Sequence, residues 1–580
     1  MLHRALDRVF GIDARSLALF RISIGLILLA DLCIRVRSLP EHYSDEGVYP
    51  RKAWLEASST AFELTSTGAT AVTPEPGADW LWSLHAMNGR VEFQAGLFAL
   101  AGAAAMAMIV GWRTRTATFL SWLLLTSLHY RNETICNAGD DLLRVMLFWA
   151  MFAPLGCRWA MDCFQQRRRE QDLHPSVAPS APAAAAPPDE FWGNVRGRGG
   201  AAVQAPETVS DVESSRPRFS GASRGPSRSP AMTLRESLAE TQTSVATACL
   251  LLQLAAMYIF SGVYKLNEVW SSGEAMKRAM SFDMYVKPLG VTLRENQAFL
   301  NAMSVGVPWA EIILPALCFV PYFTKLWRGL AIVAFLAFHG TIEAALTTGL
   351  FPAVSLVCWL LFVPGKWWDV LRVGRRNGDE GAAGSVSALL GSGSAGYGRR
   401  PLIWGGRLAL AAVFAYVVAW NISAVQKDRK VSPMLAQEHA WFGHVSGLKQ
   451  AWGMFSDPPT ETGYYVIVGT IGAGKTTTGT TIDLMTGDEA KDETTAPVPG
   501  TSFRLYPDHR WRRLMASIAL DRHRNQRAKI AHAWADRWNR THKDAVIDWI
   551  EMSFVKTGTG PDGQPVTKKH VYFRGPVVGR

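Results

Sequence analysis

Nine stretches of the 580-residue chain run long enough with little or no charge to leave water, and they decide what it can fold into. They are Ser16–Ile34, Phe93–Trp112, Ala117–Tyr130, Leu142–Leu155, Thr243–Val263, Val307–Phe323, Leu330–Leu346, Leu350–Pro364 and Ile403–Val425. A bilayer core about 30 Å thick asks for about 20 apolar residues per helix, with every backbone polar group paired inside the segment. Several runs sit near or below that length, so one or two are candidates for re-entrant segments. Only 19% of the residues are charged, against about 25% in a soluble globular protein. The pattern excludes a single soluble enzyme domain. No small-residue cleavage site follows Ser16–Ile34, and Arg21 and Asp31 lie inside it, so it reads as a retained span and not a signal peptide.

The formal net charge of +11 raises nucleic acid as a partner, but its distribution points to topology. With Arg4, Arg8 and Arg15 in the cytoplasm, the clusters Arg113/Arg115, Arg167–Arg169, Lys325/Arg328 and Arg372–Arg400 all fall on that same side. The expected fold is an all-α polytopic membrane bundle of about nine spans with a small α+β extracytoplasmic C-terminal domain. Its expected parts are a first transmembrane half of four spans (1–164), a disordered cytoplasmic linker (165–240), and spans five to eight (241–373). A Gly/Ser loop (374–402), the last span (403–425) and the aqueous domain (426–580) follow. The expected location is the inner or plasma membrane, with a cytoplasmic N-terminus.

In the tail, Tyr464–Thr470 alternates and Thr476–Leu484 is rich in β-branched residues, so the two predict a hairpin. A basic helical stretch is expected at Trp511–His542, and a second hairpin is expected around Pro561-Asp562-Gly563. The segment Gly469 to Thr476 matches the phosphate-loop pattern in full, with Lys475 in the lysine position. A phosphate loop runs from a strand into a helix. Here Thr-Thr-Thr-Gly-Thr-Thr-Ile follows, a poor helix and a good strand. Hairpin turn is the favoured reading, and ATP is not expected as a partner. No disulfide framework or metal site is indicated by the seven cysteines or by histidine spacing.

Charge left at bilayer depth is expensive and marks candidate sites. Lys265 closes the motif Tyr258-Ile-Phe-Ser-Gly-Val-Tyr-Lys265. Two readings stay open for it: an ammonium snorkelling to water, which spacing alone favours, or an inward lysine usable as a base. His339 and Glu343 share a helix face, either as a satisfied pair or as a proton relay. Glu311, Asp140, Asp141, Arg144, Arg21 and Asp31 complete the set, and together they predict a polar cavity in the bundle.

The motifs His42–Pro50, Asn137–Arg144, Tyr258–Leu266 with Trp270 and Gly273, Phe338-His339, Gly349–Pro352 and Leu448–Ser456 resemble the HTTM family in its bacterial, vitamin K-dependent γ-carboxylase-like form. The resemblance implies that Lys265, in a Lys-Leu pair, is the base that deprotonates reduced vitamin K or another quinol, with His339 lining the site. It further implies use of O2 and CO2, and a protein or peptide substrate on the extracytoplasmic side. The chain departs from the family at Cys136–Asp140, where the histidine expected to stabilise a carbanion is missing, and in its shorter tail. The expected function is therefore a quinol-dependent oxygenase or carboxylase at the outer leaflet. The rivals are a non-catalytic scaffold or transport component, and a tethered NTPase using Lys475.

Overall fold

The computed structural model describes residues 2–55, 82–166, 241–371, 373, 400–458, 462–472, 479–490, 497–519, 526–559 and 565–577. Residues 1–164 and 239–580 form one compact unit and 165–238 a second. The expected linkers at 165–240 and 374–402 fall almost wholly outside the described residues, as does Lys475.

Each apolar run becomes a helix, and polar side-chain caps set where four of them begin. A short amphipathic helix, α1 (Leu2–Phe10), precedes α2 (Ala14–Val36), whose cap Asp13 accepts from the Arg15 amide at 2.8 Å. Next come α3 (Val91–Val110), α4 (Thr114–Arg131) and α5 (Ala138–Ala150). Asn137 and Asp140 form a reciprocal capping box on α5, satisfying two of the amides a helix start leaves unpaired. The second half contains α6 (Val245–Tyr264), α7 (Gln297–Leu317), α8 (Thr324–Ala345), α9 (Phe351–Trp359) and a surface turn of helix, α10 (Gly365–Val370). The final long helix is α11 (Arg400–Asp428). Strands β1 (Ile12–Asp13) and β2 (Thr241–Gln242) pair antiparallel and tie the starts of α2 and α6 together.

Six described helices are long and apolar enough to cross a membrane: α2, α3, α6, α7, α8 and α11. The other three expected spans are helical but shorter or more polar. α5 has 13 residues, a rise of about 20 Å. It nevertheless sits at the centre, with Leu142, Met146 and Trp149 packed against Leu250, Leu254 and Met257 of α6. α7 begins ten residues before the expected Val307, because Asn296 caps it by accepting from the Phe299 amide at 3.0 Å.

The tail forms a four-stranded antiparallel sheet in the order β4-β3-β5-β6, from β3 (Thr462–Ile471), β4 (Thr480–Asp483), β5 (Ile547–Thr559) and β6 (Pro565–Pro576). Both expected hairpins are present, with Ile471 opposite Thr480 and Thr559 opposite Pro565. The chain thus leaves β3 and re-enters the same sheet, whereas a phosphate loop needs a helix there. The expected helical stretch Trp511–His542 is two helices, α12 (His509–Ile518) and α13 (Arg527–Thr541). Trp511, Leu514, Ile530 and Trp534 meet Ile467, Ile550 and Met552 of the sheet in a core that also takes Leu39, Tyr43, Phe98 and Ile135 from the bundle. The sheet is therefore fused to one end of the bundle.

One stretch of the tail lies inside the bundle. The sequence reading places all of 426–580 in an aqueous domain, but Leu448 and Trp452 have no exposed surface and join the bundle core. Gln450 accepts from Gln253 in the middle of α6 at 2.8 Å, and its carbonyl accepts from the Trp420 indole of α11 at 2.8 Å. Arg144 donates to the Gly447 and Lys449 carbonyls at 2.9 and 3.0 Å. Non-helical backbone at this depth is tolerable because protein groups satisfy its carbonyls.

Candidate functional site

Lys265 ends α6, and close helix packing gives it a partner. A Cβ on Gly262 would come within 2.6 Å of the Pro308 carbonyl oxygen, so only glycine lets α7 approach α6 this closely. That approach delivers Glu311. Lys265 Nζ donates to Glu311 Oε2 at 2.8 Å and to Ser261 Oγ at 2.5 Å, and it lies 5.6 Å from the Trp270 ring centre. Lys265 is 5% exposed, so the ammonium is turned inward and does not snorkel. Spacing along one helix favours snorkelling, but it cannot reveal a carboxylate arriving on another helix, and Glu311 holds the ammonium inside.

His339 is fully buried on α8, and its Nε2 is 2.5 Å from the Tyr258 hydroxyl. The Trp359 indole donates to that hydroxyl at 3.0 Å. Phe335, Phe338 and Phe351 surround the imidazole. Among the described residues, its Nδ1 has no partner. The expected His339–Glu343 pair does not form: Glu343 is exposed and bound to Lys287 at 2.8 Å. Helical spacing put both residues on one face, but Glu343 stands near the helix end, where Lys287 reaches it. Tyr258 and Lys265 are seven residues apart on α6, so the two clusters share a helix face about 10 Å apart.

A third cluster was not legible as such. Asp31 pairs with Arg35 at 2.7 Å, and Arg35 also reaches Asp140 at 2.7 Å and the Tyr43 hydroxyl at 2.6 Å. Arg510, from the first turn of α12 in the tail, enters this group. It donates to Asp31 at 2.5 Å and to both oxygens of Asp140, one of them at 2.7 Å. Two carboxylates and two guanidiniums therefore neutralise one another in a fully buried quartet. Asp31 does not pair with Arg21, which donates to the Trp159 carbonyl at 2.6 Å. Asp141 and Arg144 do pair, at 2.7 Å. The sequence reading marked Asp31 and Asp140 as charges at bilayer depth but did not single out Arg35 or Arg510 as their partners.

Asp31, Asp140, Asp141, Arg144, Lys265 and Glu311 are thus engaged with one another or with Arg35 and Arg510, where a polar cavity was expected. The enclosed space lined by Leu28, His85, Phe98 and Ser121 holds only about 10 Å³, and the wide groove at Arg51, Lys52 and Lys529 lies elsewhere. His129, Cys136 and Asp140 bring their ligand atoms within 4.8 Å of one another. Arg35 and Arg510 already hold that carboxylate, and their charge opposes a cation. His129 Nε2 lies 3.3 Å from Asp140, next to the segment where the family histidine was missed. Outside the helical spans, burial and the nearby Arg35 and Arg510 push His42 down to about 3. Burial first, with Arg510 second, pushes His509 to about 3 as well.

Comparison with known proteins bears on the second half. Residues 230–367 match the HTTM domain model. No curated protein and no solved structure matches the chain. The matched residues include Lys265, Glu311 and His339. The motifs at His42–Pro50, Asn137–Arg144 and Leu448–Ser456 lie outside them, so the match is narrower than the resemblance read from the sequence. The chain carries an HTTM domain, a domain found in vitamin K-dependent γ-carboxylase-like proteins, and with its apolar helices it fits a membrane protein of that kind.

Proposed function

We propose that the protein is a quinol-dependent oxygenase or carboxylase, acting at the membrane face where α6 ends, with Lys265 as its base and His339 lining the site. One observation carries this reading: a lysine at the end of a span is withdrawn from water and held between Glu311 and Ser261. In a low-dielectric setting a lysine–carboxylate pair can shed its charge by passing one proton between its members. Glu311 Oε2, 2.8 Å from Lys265 Nζ, is the group within reach of a proton leaving the amine, and an amine without that proton could take one from a substrate hydroxyl. Trp270 beside the amine, and deeper the His339 imidazole among phenylalanine rings, support a flat aromatic alcohol as the ligand. A bound quinol, reduced vitamin K or a relative, would supply an acidic hydroxyl and reducing electrons. A protein or peptide acceptor on the side of the sheet domain, with the N-terminus in the cytoplasm, belongs to the same proposal.

The test is quinol-dependent O2 consumption by the purified protein in lipid. Lys265→Met is expected to lower turnover at least 100-fold, within the range seen for general bases. Quinol consumption that ignores this substitution would overturn the assignment. A second reading, a non-catalytic scaffold, is favoured by the internally neutral quartet of Asp31, Arg35, Asp140 and Arg510. It predicts no quinol turnover in any variant.

A further inference from the structure

At the end of the bundle that carries the N-terminus, three separate elements bring cations together. Arg8 on α1, Lys325 at the start of α8 and Lys366 on α10 are all exposed. Packing fixes their neighbourhood. Arg328 donates to the Val9 carbonyl at 2.6 Å, which ties α8 to the end of α1. A Cβ on Gly329 would lie 3.0 Å from the Trp367 ring, which seats α10 on α8. Arg8 and Lys366 are close enough to Lys325 for their charges to be felt there. The nearby acid Asp369 is held by Arg15 at 2.8 Å, and Arg15 also binds Asp13. Among the described residues, Arg8, Lys325 and Lys366 form no ion pair.

Apolar side chains flank these cations on the same elements. Phe323 is 76% exposed and Val370 is 81% exposed, with Tyr322, Leu326 and Leu371 beside them. α1 is itself amphipathic, with Val9 buried and Arg8 outward. Cations bordered by exposed apolar groups suit the headgroup layer of a membrane, where phosphate and acyl chain meet. Nucleic acid or an acidic protein would leave that apolar surface in water.

We infer that Arg8, Lys325 and Lys366 form a binding site for the phosphate of an anionic phospholipid headgroup, at the end of the bundle opposite the sheet domain. The site is independent of the quinol reading.

The experiment is native mass spectrometry of the full chain in detergent, titrated with phosphatidylglycerol or phosphatidylcholine. Phosphatidylglycerol is expected to bind at least 10-fold more tightly, and the preference should shrink at high salt. Each basic residue near a charged headgroup contributes about five-fold, so Arg8→Gln/Lys325→Gln/Lys366→Gln should lose on the order of 100-fold. The control Lys427→Gln/Lys430→Gln/Lys543→Gln removes equal charge elsewhere and should lose little. Equal binding of the two lipids, or equal loss in the two triple variants, overturns the site. Glycerol phosphate competing as well as the lipid would make it a small-anion site and overturn the lipid assignment. Should the triple variant not fold, the salt dependence of the unaltered protein decides: a preference indifferent to salt overturns the proposal.

Discussion

Arg510→Met tests whether the sheet domain is locked to the bundle by charge. The guanidinium makes three hydrogen bonds to Asp31 and Asp140, and a fourth to the Ile135 carbonyl at 3.2 Å. Removing it leaves two buried carboxylates facing Arg35 alone. Breaking a buried pair by deleting one partner costs about 3–5 kcal/mol, because an uncompensated charge stays behind. For a chain of this length, size scaling gives about 1 °C per kcal/mol, so the melting temperature should fall by about 3–5 °C. The assay is thermal aggregation of detergent-solubilised protein followed by size-exclusion chromatography. The charge argument makes a sharper demand. Asp31→Asn combined with Arg510→Met restores neutrality, with Asp140 against Arg35, and should recover about half of the loss. If the double variant is no more stable than Arg510→Met, the loss comes from packing and the charge reasoning fails.

Other outcomes follow from the same geometry. Glu311→Gln should lower quinol-dependent turnover if Glu311 takes the lysine proton, while protein yield stays near that of the parent; turnover at the parental rate would remove Glu311 from the proton path. Gly262→Val should separate α6 from α7, costing about 1–3 kcal/mol from overpacking together with the loss of the Lys265–Glu311 contact; thermal stability reads the first and activity the second. Trp452→Ala should cost about 3–5 kcal/mol, as in a protein core, and a value near zero would place that segment outside the bundle. Burial holds His42 and His85 neutral, each pushed down to about 3. Their folded values lie below the unfolded 6.5, so stability is full above that pH and is lost as pH falls through it. Between pH 7 and pH 5 each should remove about 2 kcal/mol, seen as a drop in melting temperature that His42→Gln reduces.

Much of the architecture was legible because it rests on local information. Apolar length located the helices, Asn137 with Asp140 and Ser244 with Thr247 mark two of their starts, β-branched alternation found the first hairpin, and the Pro561-Asp562-Gly563 turn found the second. Lys265 and His339 stood out for the same reason, as ionisable groups in apolar surroundings. Their partners were harder. Tyr258 and Ser261 were readable on the face of α6 that carries Lys265, seven and four residues before it. Glu311 stands 46 positions away from Lys265, and Arg510 stands 370 away from Asp140. No periodicity connects such pairs.

The sequence by itself determined that this chain must build apolar helices, where most of them lie, and which ionisable side chains would need explaining. Hydrophobic length and helical period are properties of neighbouring residues, so they survive without knowledge of the fold. Only the tertiary structure decided what those side chains do. It turned Lys265 inward onto Glu311, sent Glu343 outward to Lys287, and drew Arg510 from the tail into the bundle. It also folded Leu448–Trp452 back among the helices. The reason is energetic: a buried charge or carbonyl must find a partner wherever the packing places one. That choice is made between elements, after the helices exist.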